Sequence, residues 1–379
     1  MIVLNGKCNH ARVMIDHVDE ATQSQIINFL NHPAFSRSPI VIMPDCHAGM
    51  GAVIGFTMPL RDHVIPSVVG VDIGCGVYAY NLEQGKVKFK ELDHFIKEKI
   101  PSGGSVRTAQ TALVHFVNPT LLKDVQAVCS KIGEDFERTV WSVGTLGGGN
   151  HFIELNEDKD KNVWLAIHSG SRHFGLAVAE FHQKKAKQLM LKMFHGASAY
   201  NGLEFLPMDL GGEEYLQDMR VAQRFADINR ELMAWSIITG FFHQEFTETE
   251  SIKSVHNYIG VDNIIRKGAI SAKAGERVII PLNMRDGSII GVGKGSSKWN
   301  FSAPHGAGRK FSRTKAKEKF TLAKFEEEMK GVWSSCIKAK TLDESPMAYK
   351  DASDILDNIS ETVDVQDIMK PIYNFKATS

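Results

Sequence analysis

The sequence predicts a single α/β domain over residues 1–379, on three observations. Short apolar runs rich in β-branched residues alternate with glycine clusters, as strands separated by turns do. Longer stretches repeat apolar residues with the period of a helix that buries one face. No Pro/Ser-rich linker, internal repeat or low-complexity tract divides the chain. Taken in order, residues 19–30 are expected to be a helix, followed by strands over 40–43, 52–58 and 77–82. Helical periodicity then covers 119–136, 176–194, 215–245 and 323–336, and buried strands are expected over 163–168 and 278–282.

Composition fits an enzyme. With 43% apolar and 23% charged residues the chain can bury a large core, which excludes a disordered protein. Its 44 basic side chains balance 44 acidic ones, so overall charge gives no argument for nucleic acid. Five cysteines, an odd and sparse number, do not make a disulfide framework and are expected to be reduced. The N-terminus MIVLNGKCNHARVMIDHVDE carries charges where a signal peptide needs an apolar run. No window approaches the roughly 18 uninterrupted apolar residues of a membrane span. The expectation is a soluble, cytoplasmic protein.

The chemistry is concentrated in metal-type ligands set in glycine-rich, apolar sequence. These are Asp72 and Cys75 in VVGVDIGCGV, His151 in LGGGNHFIEL, His168 in WLAIHSGSR, His256 in SVHNY and His305 in SAPHGAGR. Asp72 and Cys75 stand three residues apart in a loop whose glycines allow tight turns, so both side chains can converge on one ion. Taken alone, that segment is more often a buried aspartate on loop amides beside an inert thiol. A single histidine is likewise more often satisfied by one backbone carbonyl. Their number shifts the balance: His151 follows Gly-Gly-Gly-Asn, and His168 ends a strand that opens into Ser169-Gly170-Ser171-Arg172, where α/β proteins place ligand groups.

Two phosphate-binding templates fail. Gly291 to Ser296 has lysine followed by glycine and the wrong upstream spacing for a P-loop, and Gly70 to Gly76 lacks the dinucleotide-binding spacing and its helix. From Arg309 to Lys319 the chain carries Arg309, Lys310, Arg313, Lys315, Lys317 and Lys319 against Glu318 alone. Such a run is commonly a solvated helix face, but next to His305 it reads as a patch for nucleic-acid phosphates.

Five motifs in this order, PDCHAGMGAVIGFTMP (44–59), VGVDIGCG (69–76), GGGNHFIE (147–154), HSGSR (168–172) and HGAGR (305–309), make the chain resemble the RtcB family of GTP-dependent RNA ligases over nearly its whole length. The resemblance implies a central β-structure flanked by helices and a chemistry that uses GTP and two Mn²⁺ ions per active site. It implies Asp72, Cys75, His151, His168 and His256 as metal ligands, with Cys75 bridging both ions. Mixed thiolate, imidazole and carboxylate donors suit several divalent metals, so Mn²⁺ rests on the resemblance. It implies His305 as the nucleophile that takes up GMP. GTP would be held by Asn150, Phe152, Glu154, Tyr349, Lys376, His305, Gly306 and Gly308, with Glu154 accepting from guanine N1 and N2. Arg172 and Arg309 would position RNA.

The implied partners are RNA ends bearing a 3'-phosphate or 2',3'-cyclic phosphate and a 5'-hydroxyl. The resemblance leaves open the need for an archease-like activator and the choice between RNA repair and tRNA splicing. The chain departs from the family at Pro281-Leu282-Asn283-Met284-Arg285, before His305, and at His173 beside the ligand loop, which points to a divergent, short member. Cys46 and His47 are read as structural loop residues. Two other readings keep parts of the same pattern: a catalytically degenerate RNA-binding paralogue, and a dinuclear metal phosphoesterase that needs the ligands but not His305 or Glu154.

Overall fold

Strand Gly76–Leu82 is buried along nearly all its length, and this explains why its sequence is a continuous apolar run instead of an alternating one. It lies inside an antiparallel sheet of seven strands in the order Ser251–Val255, Gly76–Leu82, Val163–Ser169, Phe152–Glu157, Val363–Lys376, Gly287–Gly293 and Arg277–Asn283. One face is covered by the 29-residue helix Gly212–Gly240, whose Met233, Ala234 and Ile237 pack on Tyr78, Tyr80, Leu165 and Ile167. The other face closes on itself: Val77, Ala79 and Trp164 pack against Ile279 and Ile290 of the far strands. The two edge strands meet where the Ile279 amide donates to Ser254 Oγ at 2.9 Å, so the sheet is nearly a barrel.

A second sheet runs Ile2–Asn5, His10–Val13, Ile40–His47, Ile54–Pro59, Ile264–Lys267 and Tyr258–Ile259. It shares a core with helix Glu20–Leu30 and with helices Pro119–Ile132, Arg172–Met193 and Gly212–Gly240. The computed structural model describes residues 1–82, 86–108, 118–193 and 202–377. Among these, no helix is long and apolar enough to cross a membrane.

The mixed α/β class holds, and most expected elements are present with shifted ends. Helix Glu20–Leu30 starts where Asp19 caps it, accepting from the Thr22 amide at 3.1 Å. The stretch 119–136 is two elements, because Gly133 at φ 81° ends one helix and Asp135 caps the next, Phe136–Trp141. Helix Arg172–Met193 starts four residues earlier than the expected 176–194, whose last residue lies outside the described ones. The stretch 215–245 is helical only to Gly240, and 323–336 shrinks to Leu322–Glu328 because Trp333 leaves to bond the Ile372 carbonyl. Strand 40–43 continues to His47, so Cys46 and His47 close a strand and are not loop residues.

Candidate active site

Each chemical side chain stands at the end of a strand. Asp72 and Cys75 occupy the turn entering Gly76–Leu82, and His151 immediately precedes Phe152–Glu157. His168 is the penultimate residue of Val163–Ser169, in register with both Val77 and Phe152. His256 follows Ser251–Val255 and donates its amide to the Cys75 carbonyl at 2.7 Å. His305 follows the short strand Ser302–Pro304. Antiparallel pairing therefore brings residues up to 233 positions apart, from Asp72 to His305, to one end of the barrel. Gly170 is required there, since a Cβ would stand 2.2 Å from Asp72 Oδ1.

The donors converge. Cys75 Sγ lies 3.2 Å from His168 Nε2 and 3.5 Å from His151 Nε2; His168 Nε2 is 3.3 Å from His256 Nε2, and His151 Nε2 is 3.1 Å from Asp72 Oδ2. Two triads follow, Asp72–Cys75–His151 and Cys75–His168–His256, with ligand atoms in each within 4.8 Å and Cys75 common to both. The remaining ring nitrogens of His151 and His168 face backbone carbonyls, Leu146 at 2.8 Å and Asn150 at 3.2 Å, so Nε2 is turned inward. Burial, then the neighbouring imidazoles, push His168 and His256 well below the ordinary imidazole range, leaving them neutral. Burial and the Asp72 charge push the Cys75 thiol up. Burial also works against the Asp72 carboxylate, but His151, Cys75 and His168 beside it together outweigh burial and hold the group at about 2. Buried, neutral lone pairs aimed at one another are what a divalent cation satisfies, so the donor set fits a two-ion site.

His305 adjoins this cluster, its ring centroid 4.7 Å from that of His256. Its Nδ1–H donates to Asp45 Oδ2 at 2.6 Å and its amide to the same oxygen at 3.2 Å. Asp45 is fully buried at the end of Ile40–His47, and Gly308 allows the approach, since a Cβ there would stand 2.1 Å from the Asp45 carbonyl. The carboxylate thus fixes the tautomer and leaves the Nε2 lone pair free.

A cavity opens from the cluster. Its wall includes Asp72, Cys75, His168 and His256, then His305, Gly306 and Gly308, and also Asn150, Phe152, Glu154, Tyr349, Lys376 and Arg309. Of the metal-type residues, His151 stands behind that wall. Glu154 is buried, accepts from Asn374 Nδ2 at 2.6 Å, and is pushed up to about 7 by burial in spite of that bond. Pro281, Leu282, Asn283 and Met284 of the divergent segment also line the cavity, whereas Arg285 turns outward to Asp286 and Glu328.

Two residue expectations are modified. Arg172 does not line this cavity: its guanidinium bonds the Gly103 carbonyl at 2.9 Å and Thr145 Oγ1 at 3.2 Å and faces a separate one with Glu134, Arg138 and His173. The basic run is not uniform: half-buried Arg309 pairs with Glu344 at 3.3 Å, Arg313 and Lys317 stay exposed but reach Glu344 at 2.6 Å and Asp343 at 3.4 Å, and Lys315 and Lys319 are exposed. The site also contains residues that the sequence reading did not assign to it. Asp45 and His47 stand inside the 44–59 motif, where only Cys46 and His47 look like ligands, and Glu344 and Asn374 stand in no motif at all. His47 lines the cavity, and burial lowers it to about 4.

The family model described as "tRNA-splicing ligase RtcB" matches residues 25–377. The chain is 32% identical over 381 residues to "RNA-splicing ligase RtcB" of Escherichia coli (strain K12), covering 92% of each chain. It is 30% identical over 397 residues to "tRNA-splicing ligase RtcB" of Aeropyrum pernix, covering 82% of each, and 27% identical over 442 residues to the protein of that name in Methanococcus maripaludis, covering 91% of this chain and 88% of the other.

Proposed function

Because the chain belongs to the RtcB family, we propose that it is a GTP- and Mn²⁺-dependent RNA ligase. It joins an RNA 3'-phosphate or 2',3'-cyclic phosphate end to a 5'-hydroxyl end through GMP carried on His305, in RNA repair or tRNA splicing. The observation that carries this reading is the side-by-side placement of two ligand triads sharing Cys75 and a histidine whose Nδ1 is fixed by a buried carboxylate. A phosphoesterase would need the triads but has no use for the Asp45–His305 pair. The five unpaired cysteines support a reducing compartment, the cytoplasm.

Asp72, Cys75 and His151 would hold one Mn²⁺, and Cys75, His168 and His256 the other. The ions, when bound, supply charge neutralisation on phosphate oxygens. The protein's own part begins at His305. Nε2 attacks the α-phosphorus of GTP, an N–P bond forms and pyrophosphate leaves, while the Nδ1 proton stays on its bond to Asp45, whose charge balances the cationic ring. Water opens the cyclic phosphate to a 3'-phosphate. A 3'-phosphate oxygen then takes GMP from His305, and the incoming 5'-hydroxyl oxygen displaces GMP from the activated end. Asn150, Gly306 and Gly308 line the phosphate side, Phe152 packs on the base, and Tyr349 and Lys376 contact its edge. Arg309 positions RNA from the cavity wall and Arg172 from the neighbouring cavity.

Asp45→Asn is expected to slow GMP transfer to His305 by about 10²-fold or more, because an amide can present either a donor or an acceptor to Nδ1 and no longer balances the ring charge. Metal content should be unchanged, since Asp45 belongs to neither triad. An unchanged rate of labelling in this variant would remove Asp45 from the mechanism.

Glu154 gives a pH prediction. Its carboxyl is raised to about 7, so the acceptor that reads guanine N1–H and N2–H is fully present above that pH and is lost as pH falls through it. The ratio of GTP to ATP labelling should therefore be flat above pH 7 and fall by up to about tenfold per unit below it. Expressing the result as a ratio cancels metal loss at low pH, which affects both nucleotides. A ratio independent of pH, or comparable pyrophosphate release from GTP and ATP at pH 8, would show that Glu154 does not select the base.

The proposal as a whole is tested by offering purified protein an RNA with a 2',3'-cyclic phosphate and a second RNA with a 5'-hydroxyl. Joining is expected with GTP and Mn²⁺ together and with neither alone. A protein that binds these RNAs but joins none under any nucleotide would be the degenerate paralogue.

A further inference from the structure

Glu344 ends the 3₁₀ segment Ala339–Glu344 and is 3% exposed, yet it accepts from four donors. Its Oε2 takes Tyr349 OH at 2.6 Å and Lys376 Nζ at 2.7 Å, and its Oε1 takes Arg313 at 2.6 Å and Arg309 at 3.3 Å. All four donor residues line the nucleotide cavity, while the carboxylate stands behind them. Burial opposes its charge, but the surrounding cations, Lys376 first, outweigh it and hold it at about 2. It is ionised at any working pH.

A second buried carboxylate, Glu154, stands two residues along the paired strand from the position opposite the same lysine. Lys376 and Asn374 are on one strand, paired in register with Phe152 and Glu154, and the ammonium lies 5.6 Å from the centre of the Phe152 ring. Lys376 is near enough for its charge to act on Glu154. It is itself 4% exposed, so it must keep a carboxylate partner or lose its charge. Two acids therefore compete for one buried ammonium.

We propose that Glu344 is a positioning residue for base selection: by holding Lys376 and Tyr349 from behind, it keeps Lys376 from pairing with Glu154 and leaves the Glu154 carboxylate open to guanine. This rests on the reading of Glu154 as the guanine acceptor given above. Without Glu344, Lys376 turns to the next buried carboxylate, and the group that distinguishes guanine from adenine is masked by the protein's own side chain.

The test measures label transfer to the protein from GTP and from ATP in wild type, Glu344→Gln and the double variant Glu344→Gln/Lys376→Met, with metal content and a thermal melt for each. Glu344→Gln is expected to raise KM for GTP about tenfold or more and to collapse the GTP:ATP preference by a similar factor, with the limiting rate changed far less. The double variant should regain part of the lost GTP:ATP preference, because the masking ammonium is gone, while its KM for GTP stays raised, because Lys376 is itself a base contact. A simple loss of packing would not be rescued by a second deletion in the same wall. Full GTP preference in a folded Glu344→Gln protein overturns the inference, and so does a loss that the double variant leaves unrepaired. Should Glu344→Gln fail to melt cooperatively, Glu344→Asp keeps the charge but withdraws it; the same loss, smaller, is expected, and unchanged preference there overturns the inference equally. Wild type that takes no label from GTP would overturn the proposed function itself, an outcome distinct from labelled wild type with unaltered variants.

Discussion

His305→Ala is expected to fold and to bind metal as the wild type does, yet to form no protein–GMP adduct and to join cyclic-phosphate ends to 5'-hydroxyl ends at least about 10³-fold more slowly even in excess GTP. The reason is positional. His305 belongs to neither triad, and its Nδ1 is already committed to Asp45, so removing the ring deletes the nucleophile and leaves the ligand set in place. An RNA already carrying GMP on its 3'-phosphate should still be sealed by this variant, because that step needs the RNA and the metal-binding groups but no histidine adduct. Loss of metal on mutation would recast His305 as a ligand. Failure on the activated RNA alone would add a role for the imidazole in sealing.

Cys75→Ala should have a comparably large effect by a different route. Its sulfur is the one atom common to both triads, so its removal would take a donor from each ion they hold, and no neighbouring side chain can substitute. Bound metal should fall steeply, and ligation by roughly 10³-fold or more. Cys75→Ser should rescue poorly, since a hydroxyl is a weak ligand at neutral pH where a cation-bound thiol is deprotonated. Cys46 offers no replacement: it packs in the apolar core beneath the second sheet, where burial pushes its thiol up to about 12. A Cys75→Ala protein that kept both ions and the wild-type rate would show the site to be elsewhere.

The parts of this structure legible in the sequence are those where local pattern and tertiary burial agree. Strand Gly76–Leu82 is a buried apolar run and helix Gly212–Gly240 a long amphipathic one, and Asp72, Cys75 and the histidines stand out because polar ligands in glycine-rich, apolar segments conflict with their surroundings. The 14-residue strand Val363–Lys376 is hidden, because its first half is exposed and charged and Pro371 interrupts it, so its strand character comes from pairing on both sides. The same holds for the site. Asp45 has a role only because strand Ile40–His47 runs past its apolar stretch to reach His305, and Glu344 only because three separate segments bring Lys376, Tyr349 and Arg313 onto it. Arg309, Arg313 and Lys317 mislead for the converse reason: a basic run cannot reveal that Asp343 and Glu344, some thirty residues later, take up three of its members as partners.

The central claim is that His305 carries GMP, and it is tested most directly by incubating the wild-type protein with Mn²⁺ and GTP labelled at the α-phosphate, followed by denaturing electrophoresis and mapping of the labelled peptide. The account predicts an acid-labile label that survives denaturation, depends on Mn²⁺ and lies on His305 in the HGAGR segment. Label on another residue, or a protein that stays unlabelled while it joins RNA, would contradict it.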